Sequence, residues 1–240
     1  MRNLRILAAL GLIAAAGAAR ADVSGTVTLA TDYDFRGFSQ TGEDPAIQGS
    51  IDYSNESGFY AGTWASNIGH FSDGGEGTAS TELDVYAGFK GTAGSLGWDA
   101  GIVYYSYNGA SDLNYPEIYV KGTLGFFTGS VYYSNQFGGT YFNGTTWEDT
   151  DDAFYVSADA AIPAGELTVN LHAGFSDGDG LQQVYFGDED SYADYSAGIS
   201  YSASNVTIGL KYVIRDSDSK VGYGSDDRII LSVATALPWK

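Results

Sequence analysis

Cysteine is absent from this 240-residue chain, proline occurs four times, and the single methionine is the first residue. Without thiols there is no disulfide framework and no thiolate metal centre, so order has to come from backbone pairing and packing. Basic residues are also scarce. They number 11 against 30 acidic ones, a formal net charge of −19, which excludes a nucleic-acid surface. Beyond the N-terminus no apolar run is long enough for a membrane helix. That leaves β-strand membrane proteins open, because their hydropathy signal is much weaker. What the chain does have is glycine (33), tyrosine (19) and phenylalanine (12). Aromatic residues at 15% argue against disorder and suit strands and membrane interfaces.

The first residues read as a secretory signal peptide, residues 1–21. Arg2 and Arg5 form a basic n-region, Ile6 to Ala19 an apolar segment, and Ala19-Arg20-Ala21 a small-x-small cleavage site before Asp22. The apolar segment is shorter than the roughly 20 residues of a spanning helix. Cleavage would remove three of the 11 basic residues and no acid, leaving the domain at 22–240 more acidic still. Its roughly 220 residues suit a single β domain.

From Val23 onward apolar and polar residues alternate with period two, and helical periodicity is missing. The first strand is expected from Val23 to Tyr33, with Val23, Val27, Leu29 and Tyr33 on one face and Asp32 on the other. After a loop from Asp34 to Pro45, the strands IQGSIDYS and FYAGTWASN flank the tight turn Asn55 to Gly58. The phase of the second is ambiguous, because Phe59 and Trp64 fall on opposite faces. A polar loop, Ile68 to Ala79, leads to Leu83, Val85, Ala87 and Phe89, which alternate with Glu82, Asp84, Tyr86 and Lys90. The pattern repeats to Leu237. It predicts about twelve strands joined by six long polar loops and five short turns in strict alternation. A soluble β-sandwich has no reason to sort its loops by length. An all-β, transmembrane, antiparallel up-and-down β-barrel does, with short periplasmic turns and long extracellular loops. Closure pairs every backbone polar group, which lipid demands. The expected location is the bacterial outer membrane.

The stretches DYDFRGFSQT (Asp32 to Thr41), PAIQGSIDY, GFYAGTWASN, ELDVYAGF and NYPEIYV follow one another in that order. Together they resemble the signature blocks of the TorF-like porins, also called the Gcw_chp family, with looser similarity over the rest of the domain. The resemblance implies an outer-membrane β-barrel assigned as a porin, with substrate and mechanism poorly defined. One departure lies at the end, where such barrels usually finish on an aromatic residue. Here Trp239 is in phase with the outward face, but Lys240 follows it, and Pro238 would interrupt strand pairing.

With the apolar face toward lipid, the opposite residues line the interior. Its acids are Asp32, Asp52, Glu82, Asp84, Asp99, Glu117, Asp159 and Asp194, and its bases are Lys90, Lys121, Lys211, Arg215 and Arg228. His172, Gln48 and Tyr119 join them. A lysine or arginine facing lipid at mid-bilayer would cost about 2–4 kcal/mol, so the interior is where these belong. Two readings stay open. One is a hydrophilic pore for passive diffusion of small solutes or ions, weakly favouring cations because acids outnumber bases. The other is a salt-bridged, closed interior. Twelve strands lie between filled barrels of about 8 and open porins of about 16–18. Arg36 is the only base among Asp32, Asp34, Glu43 and Asp44. Either its loop folds into the lumen, where Arg36 pairs with carboxylates at a constriction, or it is a solvated surface arginine.

Metal, cofactor and enzyme readings find little to stand on. Asp177 to Gly180, with Asp188, resembles a calcium loop, but Leu181 and Gln182 occupy positions that need a ligand and a glycine. His70 and His172 are far apart in sequence, and neither completes a nucleophile–base pair. The expected partners are outer-membrane lipid, lipopolysaccharide bridged to the acidic loops by divalent cations, and small hydrophilic solutes. The alternative function is a non-conducting structural or adhesion barrel with acidic surface loops.

Overall fold

A computed structural model of the chain describes residues 22–72, 78–140, 152–184, 190–216 and 225–237. Residues 1–21, which carry the expected signal peptide, and Asp188, Pro238 and Trp239 lie outside them. In chain order the strands are β1 (Asp22–Ala30), β2 (Asp34–Phe35), β3 (Phe38–Ser39), β4 (Ala46–Ser54), β5 (Phe59–Ser72), β6 (Thr78–Ala93) and β7 (Leu96–Tyr107). They continue with β8 (Tyr115–Leu124), β9 (Phe127–Ser134), β10 (Ala153–Ala164), β11 (Leu167–Asp177), β12 (Ser191–Ala203), β13 (Val206–Asp216) and β14 (Asp227–Leu237). All but β2 and β3 pair antiparallel with their sequence neighbours to form a closed barrel of twelve strands. The seam is β1 against β14, from Gly25 opposite Leu237 to Ala30 opposite Ser232. With both ends of the sheet paired there is no open edge, the condition for strands to sit in lipid.

Side-chain alternation sets the two faces. Leu29, Ile47, Val85, Ile118, Val120, Leu171, Leu210 and Ile229 stand exposed on the outside, an apolar surface that water would not tolerate at this extent and lipid accepts. The five short connections share one end. Four are two-residue turns: Gly94-Ser95, Gly125-Phe126, Gly165-Glu166 and Ser204-Asn205. Each first position has positive φ, including the non-glycine Ser204 at +57°, as hairpin twist requires. The fifth is Asn55 to Gly58, where Asn55 Oδ1 accepts the Ser57 backbone N–H at 3.0 Å.

Three expectations need correction. Strand β1 stops at Ala30, so Tyr33 turns away from the outer face; it is buried, with its ring edge-on to Trp64 at 5.1 Å. The segment Ile68 to Ala79 is mostly strand: β5 runs on to Ser72 through an irregularity between Asn67 and Phe71, and β6 begins at Thr78. Asp179 opens a short helix, α1 (Asp179–Val184), in place of an open acidic loop. The ambiguous phase of β5 is settled by pairing. Phe59 meets outward Phe89 edge to face, 5.3 Å between ring centroids, while Trp64 points inward beside Tyr33.

The core lies inside the barrel, toward the long-loop end. One cluster joins Phe38, Val103, Tyr105, Tyr115, Tyr119, Phe137, Ala153, Leu181 and Tyr192. A second joins Tyr33, Ala46, Ile68, Ala79, Ala110 and Leu113.

Candidate functional site: a hairpin wedged into the lumen

The first long loop, residues 31–45, does not extend outward. Its centre, DFRGF, forms the small hairpin β2–β3, with Asp34 opposite Ser39 and Phe35 opposite Phe38. Arg36 and Gly37 make the turn, with φ of +49° and +84°. Two positive φ values in succession match a type I′ turn, and glycine takes the second at no steric cost. A Cβ on Gly37 would come within 2.9 Å of the Asp194 Cβ, so the tip lies hard against the wall.

Arg36 reaches across the lumen from this tip. Its Nη1 and Nη2 donate to Glu117 Oε1 and Oε2 at 2.9 and 2.7 Å, a bidentate pair in which both side chains are almost fully buried. Tyr105 donates its hydroxyl to Glu117 Oε2 at 2.9 Å. The guanidinium also lies over the rings of Tyr155, Phe35 and Tyr132, at 4.4, 4.8 and 5.1 Å from their centroids. On the other side of the loop Phe38 is 1% exposed, 5.1 Å from the Tyr192 ring, with the Arg215 guanidinium 4.0 Å above it.

The base of the hairpin is held by ions. Asp32 accepts from Ser39 Oγ at 2.5 Å, Thr41 Oγ1 at 2.9 Å and Arg228 Nε at 2.9 Å. Asp34 accepts from Arg228 Nη2 at 2.6 Å and Lys211 Nζ at 2.9 Å. Arg228 Nη1 also donates to the carbonyls of Gly37 and Ser225. At the rim, Glu43 Oε1 accepts the Ser225 backbone N–H, and this bond holds its carboxyl below the usual carboxylate range.

The strand residues assigned to the lumen lie opposite the apolar outer face, while Asp32 and Arg36 belong to the first loop. Asp52 accepts from the Tyr86 hydroxyl, and Asp99 from that of Tyr60 at 2.5 Å. The Tyr60 hydroxyl also lies 2.5 Å from that of Tyr119. The ammonium of Lys90 sits over Tyr60, and that of Lys121 over Tyr119. His172 bridges Asp159, 2.6 Å from Nδ1, and Asp194, 2.7 Å from Nε2, with Tyr155 Oη 2.8 Å away. Glu82 and Asp84 are buried and make no ion pair among the described residues. Arg215 pairs with Asp226 at 2.5 Å, and Gln48 lines a cavity. Arg36, Glu117, Asp32, Arg228 and Lys211 meet at the hairpin; Lys90, Asp99 and Lys121 lie apart from it.

Sequence reasoning left out Asp34, Phe38 and Tyr33. The signal was present as two aromatic residues flanking Arg-Gly inside an otherwise polar loop, the pattern of a hairpin with an apolar grip. It also left out a repeated packing unit. Inward glycines let tyrosines lie flat along the wall: a Cβ on Gly62 would come 2.6 Å from the Tyr86 ring, and one on Gly88 or Gly101 would strike Tyr60 or Tyr119.

Below the hairpin the interior is hollow. One cavity of about 390 Å³ is bounded by Thr28, Tyr33, Gln48, Trp64, Asn170 and Ser232, and one of about 370 Å³ by Arg36, Tyr155, Asp159, His172 and Ser196. Both reach Asp34, Asn170 and Lys211.

A closed barrel with an apolar outer face, a charged interior and an inserted first loop is an outer-membrane β-barrel protein. Solved structures carry the same fold. The KdgM porin matches at 9% identity and TM-score 0.53, covering 90% of this chain and 99% of that one. The NanC porin matches at 10% identity and TM-score 0.50, covering 91% and 100%. No curated protein matches the chain. Residues 14–237 match the family described as "Bacterial protein of unknown function (Gcw_chp)", and the chain belongs to it.

Proposed function

We propose that this protein is a narrow outer-membrane channel through which small hydrophilic solutes or ions diffuse, with the β2–β3 hairpin as its constriction. The observation that carries the reading is the arrangement along the axis. Arg36, held by Glu117, lines one of two cavities that share Asp34, Asn170 and Lys211. A fixed ion pair at a narrow point with polar chambers next to it selects by size and charge. A weak preference for cations follows from the excess of inward acids over inward bases. The apolar outer face meets outer-membrane lipid, and the acidic rim attracts divalent cations that bridge to lipopolysaccharide.

Purified protein in a planar bilayer tests this. Discrete conductance steps are expected, with a reversal potential displaced toward the cation side in a salt gradient. A silent bilayer sinks the channel. It would favour a non-conducting structural or adhesion barrel, which the filled long-loop half of the lumen also fits.

A further inference from the structure

We infer that the cavity bounded by Trp64 and Gln48 is a binding subsite for a small, uncharged, polyhydroxylated solute of about monosaccharide size. The inference rests on the channel reading and names its solute class. The cavity volume, about 390 Å³, falls toward the lower end of the range in which small-molecule sites occur. Trp64 and Tyr33 stand edge to face on one wall, their ring centroids 5.1 Å apart. Aromatic rings carry a negative face, which attracts the slightly positive C–H hydrogens that a sugar or polyol presents between its hydroxyls.

The polar groups around those rings are neutral and available. Among the described residues no side-chain hydrogen bond engages the Gln48 amide, the Thr28 and Ser232 hydroxyls or the Trp64 indole N–H. Asn170 Nδ2 donates to Ser200 Oγ at 3.0 Å and to the Thr168 carbonyl at 3.3 Å, leaving its Oδ1 as an acceptor. The cavity thus offers both donors and acceptors, as a solute whose every hydroxyl both gives and takes a hydrogen bond requires.

Charge in the same cavity is internally spent. Asp32 and Asp34 are bonded to Arg228, and Asp34 also to Lys211. Two acids and two bases offset one another, so neither an anionic nor a cationic solute finds an unpaired counter-charge. A sugar acid would leave its carboxylate without a free counter-charge there and lose affinity relative to its neutral counterpart.

Tryptophan fluorescence of the purified barrel in detergent, titrated with glucose and separately with galacturonate, tests the subsite. The expected result is a saturable change with glucose, weakened about tenfold in Gln48→Leu by the loss of hydrogen bonds and absent in Trp64→Phe. Galacturonate should give no saturation over the same range. A response to glucose that stays linear, or equal saturation by galacturonate, overturns the inference. If Gln48→Leu fails to assemble, Thr28→Val removes a hydroxyl of the same wall and should show a smaller loss in the same direction. Bilayer recordings on the same preparation separate the two readings. A conducting barrel without saturable glucose binding overturns the subsite and keeps the channel, whereas a silent barrel with saturable binding overturns the channel and keeps the pocket.

Discussion

Two regions of the lumen follow the same inward–outward alternation, yet one is filled and the other hollow. Toward the long loops the inward residues are Tyr105, Tyr115, Tyr155 and Tyr192, and the hairpin adds Phe38 and Arg36. Around the first cavity they are Thr28, Gln48, Ser200, Thr207 and Ser232. Strand number alone therefore does not set the bore; the size of the inward side chains and the position of one loop do. The filled half makes buried polar contacts that each depend on a partner. The hollow half makes few and leaves its polar groups to water or solute.

That contrast predicts unequal responses to substitution. The largest effect is expected at the ion pair. Arg36→Ala leaves Glu117 buried without its cation and should lower stability by about 3–5 kcal/mol, measured by denaturant unfolding in micelles. The same variant should raise single-channel conductance; unchanged conductance and selectivity would remove Arg36 from the constriction. Replacing both partners, Arg36→Met with Glu117→Leu, should recover most of the lost stability, because no unpaired charge remains.

Gly62→Val comes next. Its Cβ would fall 2.6 Å from the Tyr86 ring, so Tyr86 must leave the wall and give up its bond to Asp52. A cost of about 1–3 kcal/mol is expected from overpacking, with a narrower bore recorded in bilayers. In the hollow half, Thr28→Leu should change stability by less than about 0.5 kcal/mol while still reducing conductance. A large loss of stability there would mean that this half is as tightly coupled as the other.

The smallest effect concerns pH. The folded Glu43 carboxyl is held below its ordinary range, chiefly by the Ser225 backbone N–H. Such a group contributes stability that is present above its unfolded pKa and lost as pH falls through the lowered one. Amide exchange at Ser225 should therefore gain a component at acid pH beyond the intrinsic rate, and Glu43→Gln should abolish that pH dependence.

Much of the barrel was legible because lipid on one side and polar lumen on the other impose a strict period of two. Leu83 to Lys90 could be assigned residue by residue on that basis, and so could the inward carboxylates on the barrel strands. The period fails where both faces accept the same residue. Trp64 and Phe59 are equally suited to lipid and to an aromatic-lined lumen, so only pairing separates them. It fails again where a strand ends early. Tyr33 continues the outward phase in sequence, but the chain bends after Ala30 and carries it inside. The hairpin was hardest to place, because its position depends on residues far away in the chain: Glu117 on β8, Lys211 on β13 and Arg228 on β14. No local pattern encodes those distances.

The bond between Asp32 and Arg228 joins the end of the first strand to the start of the last, next to the seam where β1 meets β14. It ties the order of assembly to the state of the lumen. Until the C-terminal strand is in register, Asp32 and Asp34 lack Arg228, and the base of the hairpin is left with Lys211 as its cation. Closing the cylinder thus also completes the hold on the hairpin. A barrel halted before its last strand would be unsealed in the sheet and would hold its hairpin without Arg228.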